Sequence, residues 1–186
     1  MNILSLPSSL DFRRWLRANH SQSDGIWLRI YKKNSGVATV TYAEALDQAL
    51  CFGWIDGQKK LYDRESWLQK FTPRRPKSGW SKNNTRQAER LMKSGEMAPA
   101  GRKEVMAAKA DGRWKAAYDS FSNARVPADF LKALAKNKRA KAFFQTLNKT
   151  NLYSIAYRLQ TAKKPETRDK RMQSILERLA RGEKFH

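Results

Sequence analysis

Between Phe71 and Asn84 the chain reads FTPRRPKSGWSKNN, which sets Arg74, Arg75 and Lys77 with the polar side chains of Ser78, Ser81 and Asn84 at the threshold of a helix. A helix start exposes unpaired backbone N–H groups and a partial positive charge, so cationic side chains beside it add charge-assisted donors to an oxyanion cradle. Pro73 and Pro76 stiffen the loop and lower the ordering cost of presenting its arginines. These residues form the candidate anion-binding site. The competing reading is an ordinary capped helix behind a basic, half-buried loop, with Trp80 acting as a hydrophobic staple instead of stacking on a base or sugar.

A second constellation is Cys51-Phe52-Gly53-Trp54-Ile55-Asp56-Gly57, a helix-to-strand junction in which glycines permit a tight backbone and Trp54 supplies apolar area. Trp54 and Asp56, with Trp80, are pocket-lining candidates. An Asp56 pair with Arg74 or Arg75 would couple this junction to the basic loop. A third group is cationic: Lys136, Lys138, Arg139 and Lys141, followed by Lys163, Lys164, Arg168, Lys170 and Arg171 around a later helix start. Together they could form a basic patch for phosphates; a solvated face partly neutralised by Glu166 and Lys170 at i,i+4 is the alternative.

Enzyme signatures are thin. The histidines are His20 and His186, so no His-rich metal set or Ser-His-Asp arrangement is supported, and a single cysteine makes no C-x-x-C pair. Gly95 to Lys103 has five residues between its glycines and lacks a Lys-Ser/Thr ending, which excludes a phosphate-binding P-loop. Cys51 sits on an apolar helical face as a buried, inert thiol does, and Asp63 and Glu65 fall in a turn where solvation accounts for them. Neither a metal nor a cofactor is implied.

The formal net charge of +21 and pI near 10.4 come from 38 basic and 17 acidic residues. The excess starts after Gly57: residues 1–57 hold 6 basic and 5 acidic groups, residues 58–126 hold 17 and 7, and residues 127–186 hold 15 and 5. Such a field attracts nucleic acid, other polyanions or an acidic protein partner. The sequence shows no secretory leader and no apolar run of membrane-spanning length, so the expectation is a cytoplasmic protein without a membrane span. Its oligomeric state is not legible.

The positions of these residues depend on the elements around them. Ser8 or Ser9 caps a helix with a Leu10, Trp15 and Leu16 stripe ending near His20, and Ile26 to Lys33 alternates as a half-buried strand. Thr41 and Glu44 have capping-box spacing ahead of Leu46, Ala49 and Leu50. A hairpin over Trp54–Leu61 and Ser66–Thr72 should put Trp67 and Phe71 on one face. Ser81 or Asn83 caps a helix through Lys93, Pro99 begins another that Gly112 ends, and Trp114 to Phe121 adds a turn of helix. From Pro127 the pattern is helical: Phe130, Leu131 and Leu134, then Phe143, Phe144 and Leu147, then Leu152, Ile155 and Leu159, then Met172, Ile175, Leu176 and Leu179. The expected class is α+β, a small antiparallel sheet flanked by helices over residues 1–122, followed by a basic helical C-terminal subdomain over 126–186.

The ordered blocks TYAEALDQALCFGWIDG, FTPRRPKSGWSKNN, GEMAPAG and AKKPETRDKR resemble the bacterial YdeI/OmpD-associated (bacteriocin-protection) family. The resemblance implies a stress-protective role without specifying a reaction. Combined with the charge, it gives an expectation of a non-enzymatic protein that binds phosphate-bearing or polyanionic ligands. The rival readings are an adaptor for an acidic protein and an enzyme with a pocket near Trp54, Asp56 and Arg74.

Overall fold

The computed structural model describes residues 2–185. The chain divides into two compact units, Met1–Trp80 with Asn84–Ala116, and Ser81–Asn83 with Ala117–His186.

The first unit contains β1 (Ile3–Ser5), α1 (Ser9–Asn19), β2 (Ile26–Tyr31), α2 (Tyr42–Cys51), β3 (Trp54–Leu61), β4 (Ser66–Pro73), most of α3 (Lys82–Lys93) and α4 (Pro99–Ala110). Its sheet has the order β1-β2-β4-β3. The β3–β4 hairpin is antiparallel, as the alternation predicts, and Trp67 and Phe71 share a face with Ile30 and Ile26, their partners on β2. The sheet as a whole is mixed, because β1 runs parallel to β2. That strand goes unread in the sequence: it is three residues long, too short to display alternation, and α1 supplies the crossover that parallel pairing requires.

Local chemistry sets the helix starts. Ser8 Oγ accepts from Asp11 N at 3.2 Å, and the Thr41–Glu44 box closes in both directions, with Glu44 N donating to Thr41 Oγ1 at 3.3 Å and Thr41 N donating to Glu44 Oε2 at 2.9 Å. The inward stripe of α1 is Phe12 and Leu16, while Leu10 is exposed. At 100° per residue, Leu10 lies about 200° from Phe12 and points the other way. Phe12 packs on Phe71 with ring centroids 5.6 Å apart, and Trp15 meets Trp54 edge-on at 5.7 Å, so α1 covers the face carrying Ile26, Leu28 and Ile30. A register shift in β3 between Asp56 and Lys59 interrupts the ladder. The buried Gln69 amide serves the displaced carbonyls, donating to Gly57 O at 3.0 Å and Gln58 O at 3.3 Å.

The second unit holds α5 (Ala128–Ala135), α6 (Lys138–Phe144), α7 (Lys149–Gln160) and α8 (Pro165–Ala180). Their core is Phe130, Leu134, Ala140, Ile155, Leu159, Ile175 and Leu179, with Phe143, Phe144, Leu147, Met172 and Leu176 packed around it. Leu131 is exposed, so that member of the expected stripe faces outward. Asn137 and Asn148 cap α6 and α7 by accepting from Ala140 N and Asn151 N, each at 3.0 Å. Residues 114–121 form turns and an isolated bridge between Ser81 and Tyr118, in place of the expected helical turn. Among the described residues no helix is long and apolar enough to cross a membrane.

In the first unit α4 approaches the end of α2 closely at Gly101. A Cβ added to Gly101 would collide with the carbonyl oxygens of Cys51 and Leu50 and with Met97 Sδ. Gly101→Ala should therefore cost about 3 kcal/mol or more, lowering the thermal midpoint by roughly 6–12 °C. Gly57→Ala, whose Cβ would meet Lys70 Cβ at an ordinary 3.6 Å, should shift it by under about 3 °C in the same calorimetric comparison.

Candidate functional site

The loop between β4 and α3 is wound around its first arginine. Arg74 is only 7% exposed; its guanidinium carbon lies 3.5 Å from the centroid of the Trp80 ring, and Nη1 donates to Gly79 O at 3.2 Å. Arg74 N also donates to Gly53 O at 3.0 Å, tying the loop to the helix-to-strand junction. Trp80 is 2% exposed, with Trp114 at 4.9 Å between ring centroids. Arg74, a candidate anion ligand, is thus an internal brace in this structure, and Trp80, for which packing and ligand stacking are the alternatives in the sequence, is buried against it. Arg75 and Lys77 are the exposed cations of this loop, and Lys77 holds a left-handed φ of 63°. Ser78 is half-buried, its carbonyl accepting from Arg113 Nη1 at 3.0 Å, while Ser81 and Asn84 are buried.

Trp54 is buried to 1% and its Nε1 donates to His20 O at 3.1 Å, which makes it a packing and anchoring residue. Asp56 accepts from the Tyr42 hydroxyl at 2.8 Å. The sequence suggests an arginine for that carboxylate; Tyr42 goes unnoticed because its proximity depends on α2 folding back over β3. Burial, reinforced by the Asp56 charge, raises the Tyr42 pKa well above its ordinary 10.0. Burial likewise raises the Cys51 thiol, consistent with an inert side chain.

The cations of the helical unit divide into two kinds. Lys136, Lys138, Arg139, Lys141, Lys163, Lys164 and Lys170 are exposed. Arg168 instead grips Asp129 through two bonds of 2.6 and 3.0 Å, and Arg171 Nη1 donates to Arg158 O at 2.7 Å. Hydrogen bonding from Arg168 also holds the Asp129 carboxyl below its ordinary pKa. These two arginines therefore help to hold the helices together.

Two features escape the sequence reading. One is a cleft of about 660 Å³ in the helical unit, lined by Phe121, Tyr153, Tyr157, Arg158 and Arg171 together with hydroxyl side chains. The other is the sheet face opposite α1, where Trp27, Arg29 and Tyr31 alternate outward from β2. The period-two pattern that identifies β2 marks this outward face, but the cations beside it come from β3 and β4, about 30 to 40 positions away. Among the described residues no group of three or more His, Cys, Asp or Glu side chains is arranged to hold a metal ion.

The fold and these placements define an α+β protein with a compact sheet unit and a strongly basic helical unit. Residues 4–104, more than half of the chain, match the family described as "Domain of unknown function (DUF8412)", and the chain belongs to that family. Residues 123–182 match the model described as "Bacteriocin-protection, YdeI or OmpD-Associated". Of the four blocks that resemble this second family, AKKPETRDKR lies within that match, while the first three fall in residues 41–101. Neither the curated proteins nor the solved structures contain a match to the chain.

Arg74→Lys should keep the charge but lose the planar stack on Trp80 and the fixed donor to Gly79, destabilising the fold by about 1–3 kcal/mol, whereas Arg75→Ala should change stability by less than about 0.5 kcal/mol. Urea denaturation of the two variants checks the difference. For Tyr42, a raised folded-state pKa means that its contribution to stability is present below its unfolded value near 10 and is lost as pH rises above it. Wild type should consequently lose stability from about pH 10 upward more steeply than Tyr42→Phe in denaturation measured between about pH 9 and 12.

Proposed function

We propose that the protein is a non-enzymatic binder of phosphate-bearing polyanions, with nucleic acid as the principal ligand. The reading rests on exposed cations: Arg75 and Lys77 in the first unit, and Lys136, Lys138, Arg139, Lys141, Lys163, Lys164 and Lys170 in the second, are exposed and form no ion pair among the described residues. With 38 basic groups against 17 acidic ones, internal pairing cannot neutralise the field. Lysines and arginines at such positions can displace the cations condensed on a nucleic acid's phosphates, and release of those counterions favours binding. The interior positions of Trp54, Trp80 and Arg74 fit a packing role for these three side chains, so the proposal places the ligand on the exposed cations instead. We extend the proposal to a stress-protective role, which the second family's description as bacteriocin-protection supports, and to a cytoplasmic setting, the expectation raised by the sequence.

The test is the salt dependence of binding to a short DNA duplex. Wild type should bind with a dissociation constant on the order of 10⁻⁴ to 10⁻⁶ M at physiological salt, tightening steeply as salt falls. Lys138→Ala/Arg139→Ala/Lys141→Ala should reduce the log–log slope by up to about 2.7, or roughly 0.9 for each phosphate contact removed. Arg75→Ala/Lys77→Ala should reduce it by up to about 1.8. If wild type binds no nucleic acid even at low salt but retains one acidic protein stoichiometrically, the adaptor reading replaces this one.

A further inference from the structure

From the open face of the sheet we infer that the first unit carries a binding surface for single-stranded nucleic acid, centred on Trp27 and extending to Tyr31 and Tyr62. This rests on the polyanion reading and gives it a second, chemically distinct element. Strand register places Trp27, Arg29 and Tyr31 of β2 on the same face as Lys70, Leu68 and Ser66 of β4 and Lys60 of β3, with Tyr62 just beyond the end of β3. Phe12 and Trp15 of α1 lie against the other face. On the open face, Lys60 Nζ lies 4.7 Å and Lys70 Nζ 5.9 Å from the Trp27 ring centroid. Neither lysine forms an ion pair among the described residues. The Arg29 guanidinium carbon lies 4.4 Å from the Tyr31 ring centroid and 4.8 Å from that of Tyr62.

Arg29 is held in place by Asp63, which accepts from Nη2 at 2.6 Å, and by Ser66 Oγ, which accepts from Nε at 2.9 Å. The Asp63 carboxylate balances Arg29 and leaves the two lysines as the uncompensated cations above Trp27. This arrangement suits unstacked bases. A base can displace the lysine head groups from the Trp27 ring, and the ammonium groups can then turn to the phosphates on either side of it, so each cation exchanges a ring contact for a phosphate. Trp27 and Tyr31 are four residues apart on one strand, roughly 13 Å, far enough to hold separate bases. A duplex keeps its base faces stacked inside and can offer this surface only phosphates, which is why single strands are favoured.

The experiment measures anisotropy of a fluorescein-labelled twelve-nucleotide oligo(dT) and of a twelve-base-pair duplex with full-length protein. The panel is wild type, Trp27→Ala, Trp27→Phe, Tyr62→Ala, Lys60→Ala/Lys70→Ala and Lys138→Ala/Arg139→Ala/Lys141→Ala. Trp27→Ala should weaken single-strand binding roughly 5- to 150-fold while changing duplex binding by less than about two-fold, and Trp27→Phe should restore most of the loss. Tyr62→Ala, at a 48% exposed position, tests the same surface if Trp27→Ala fails to fold, and should also weaken the single strand selectively. The double lysine variant should weaken both ligands and reduce the single-strand salt slope by up to about 1.4. Ultraviolet crosslinking of oligo(dT) to wild type should map to Trp27, Tyr31 or Tyr62. If the ring variants bind the single strand as wild type does and crosslinks fall elsewhere, the sheet surface is overturned while loss of binding in the Lys138 triple variant still supports the polyanion reading. If wild type binds neither oligonucleotide, both fall; if it binds only vesicles of anionic phospholipid through Trp27, the ligand class is wrong.

Discussion

Much of the first unit follows from the register of β4 between two antiparallel neighbours. Side chains alternate with a period of two, so a one-residue slip would send Phe71 to the opposite face and Lys70 into the space Phe71 now fills against Phe12. Pairing Ile26 with Phe71 and Ile30 with Trp67 gathers apolar side chains beneath α1, and in the same step sends Trp27, Arg29, Leu68 and Lys70 to the opposite face. The irregularity in β3 leaves this register intact because Gln69 absorbs it, directing its amide at the carbonyls of Gly57 and Gln58. A buried glutamine is acceptable there because the strand defect supplies acceptors for its donors.

The sequence around Arg74 displays charge, rigidity and a helix start, all of which suit an anion site. The same features suit a loop that must turn sharply into a helix while burying a tryptophan. The deciding quantity is where the guanidinium goes, and the backbone decides that: pairing of Trp54 with Pro73, followed by the bond from Arg74 N to Gly53 O, turns residue 74 toward the interior. Once there, the flat cation covers Trp80 and reaches Gly79 O. Arg75, one position later, stays exposed. Residue type cannot separate two adjacent arginines with opposite fates, whereas one backbone hydrogen bond can.

Features with a local cause were legible. The Thr41–Glu44 box, the inward run of Ile26, Leu28 and Ile30, and the helical apolar spacing after Pro127 arise within a few residues of sequence. Features with a nonlocal cause were not. The strand at Ile3–Ser5 exists because α1 returns the chain beside it, and Asp56 meets Tyr42 because α2 packs back over β3. Charge was legible as a sum but not as an assignment: Lys164 and Arg168 are similar in the sequence, yet the first is exposed and the second is engaged by Asp129. The cations around Trp27 were invisible for the same reason, since their neighbourhood is created by strand order.

Two scales of cationic chemistry therefore coexist in one chain. Exposed lysines distributed over the surface generate a field that acts across roughly 8–10 Å at moderate salt and weakens as salt rises; in the function proposed above, this field recruits phosphate polymers. Cations laid over aromatic rings act at 4–6 Å, where desolvation and ring orientation matter and salt matters less. The first kind attracts without selecting, because every phosphate is alike. The second, on the proposed sheet surface, would distinguish a flexible strand with free bases from a closed duplex. A protein using both would concentrate many polyanions near its surface yet retain preferentially those that can place a base on Trp27, so its selectivity should increase with salt as its overall affinity declines.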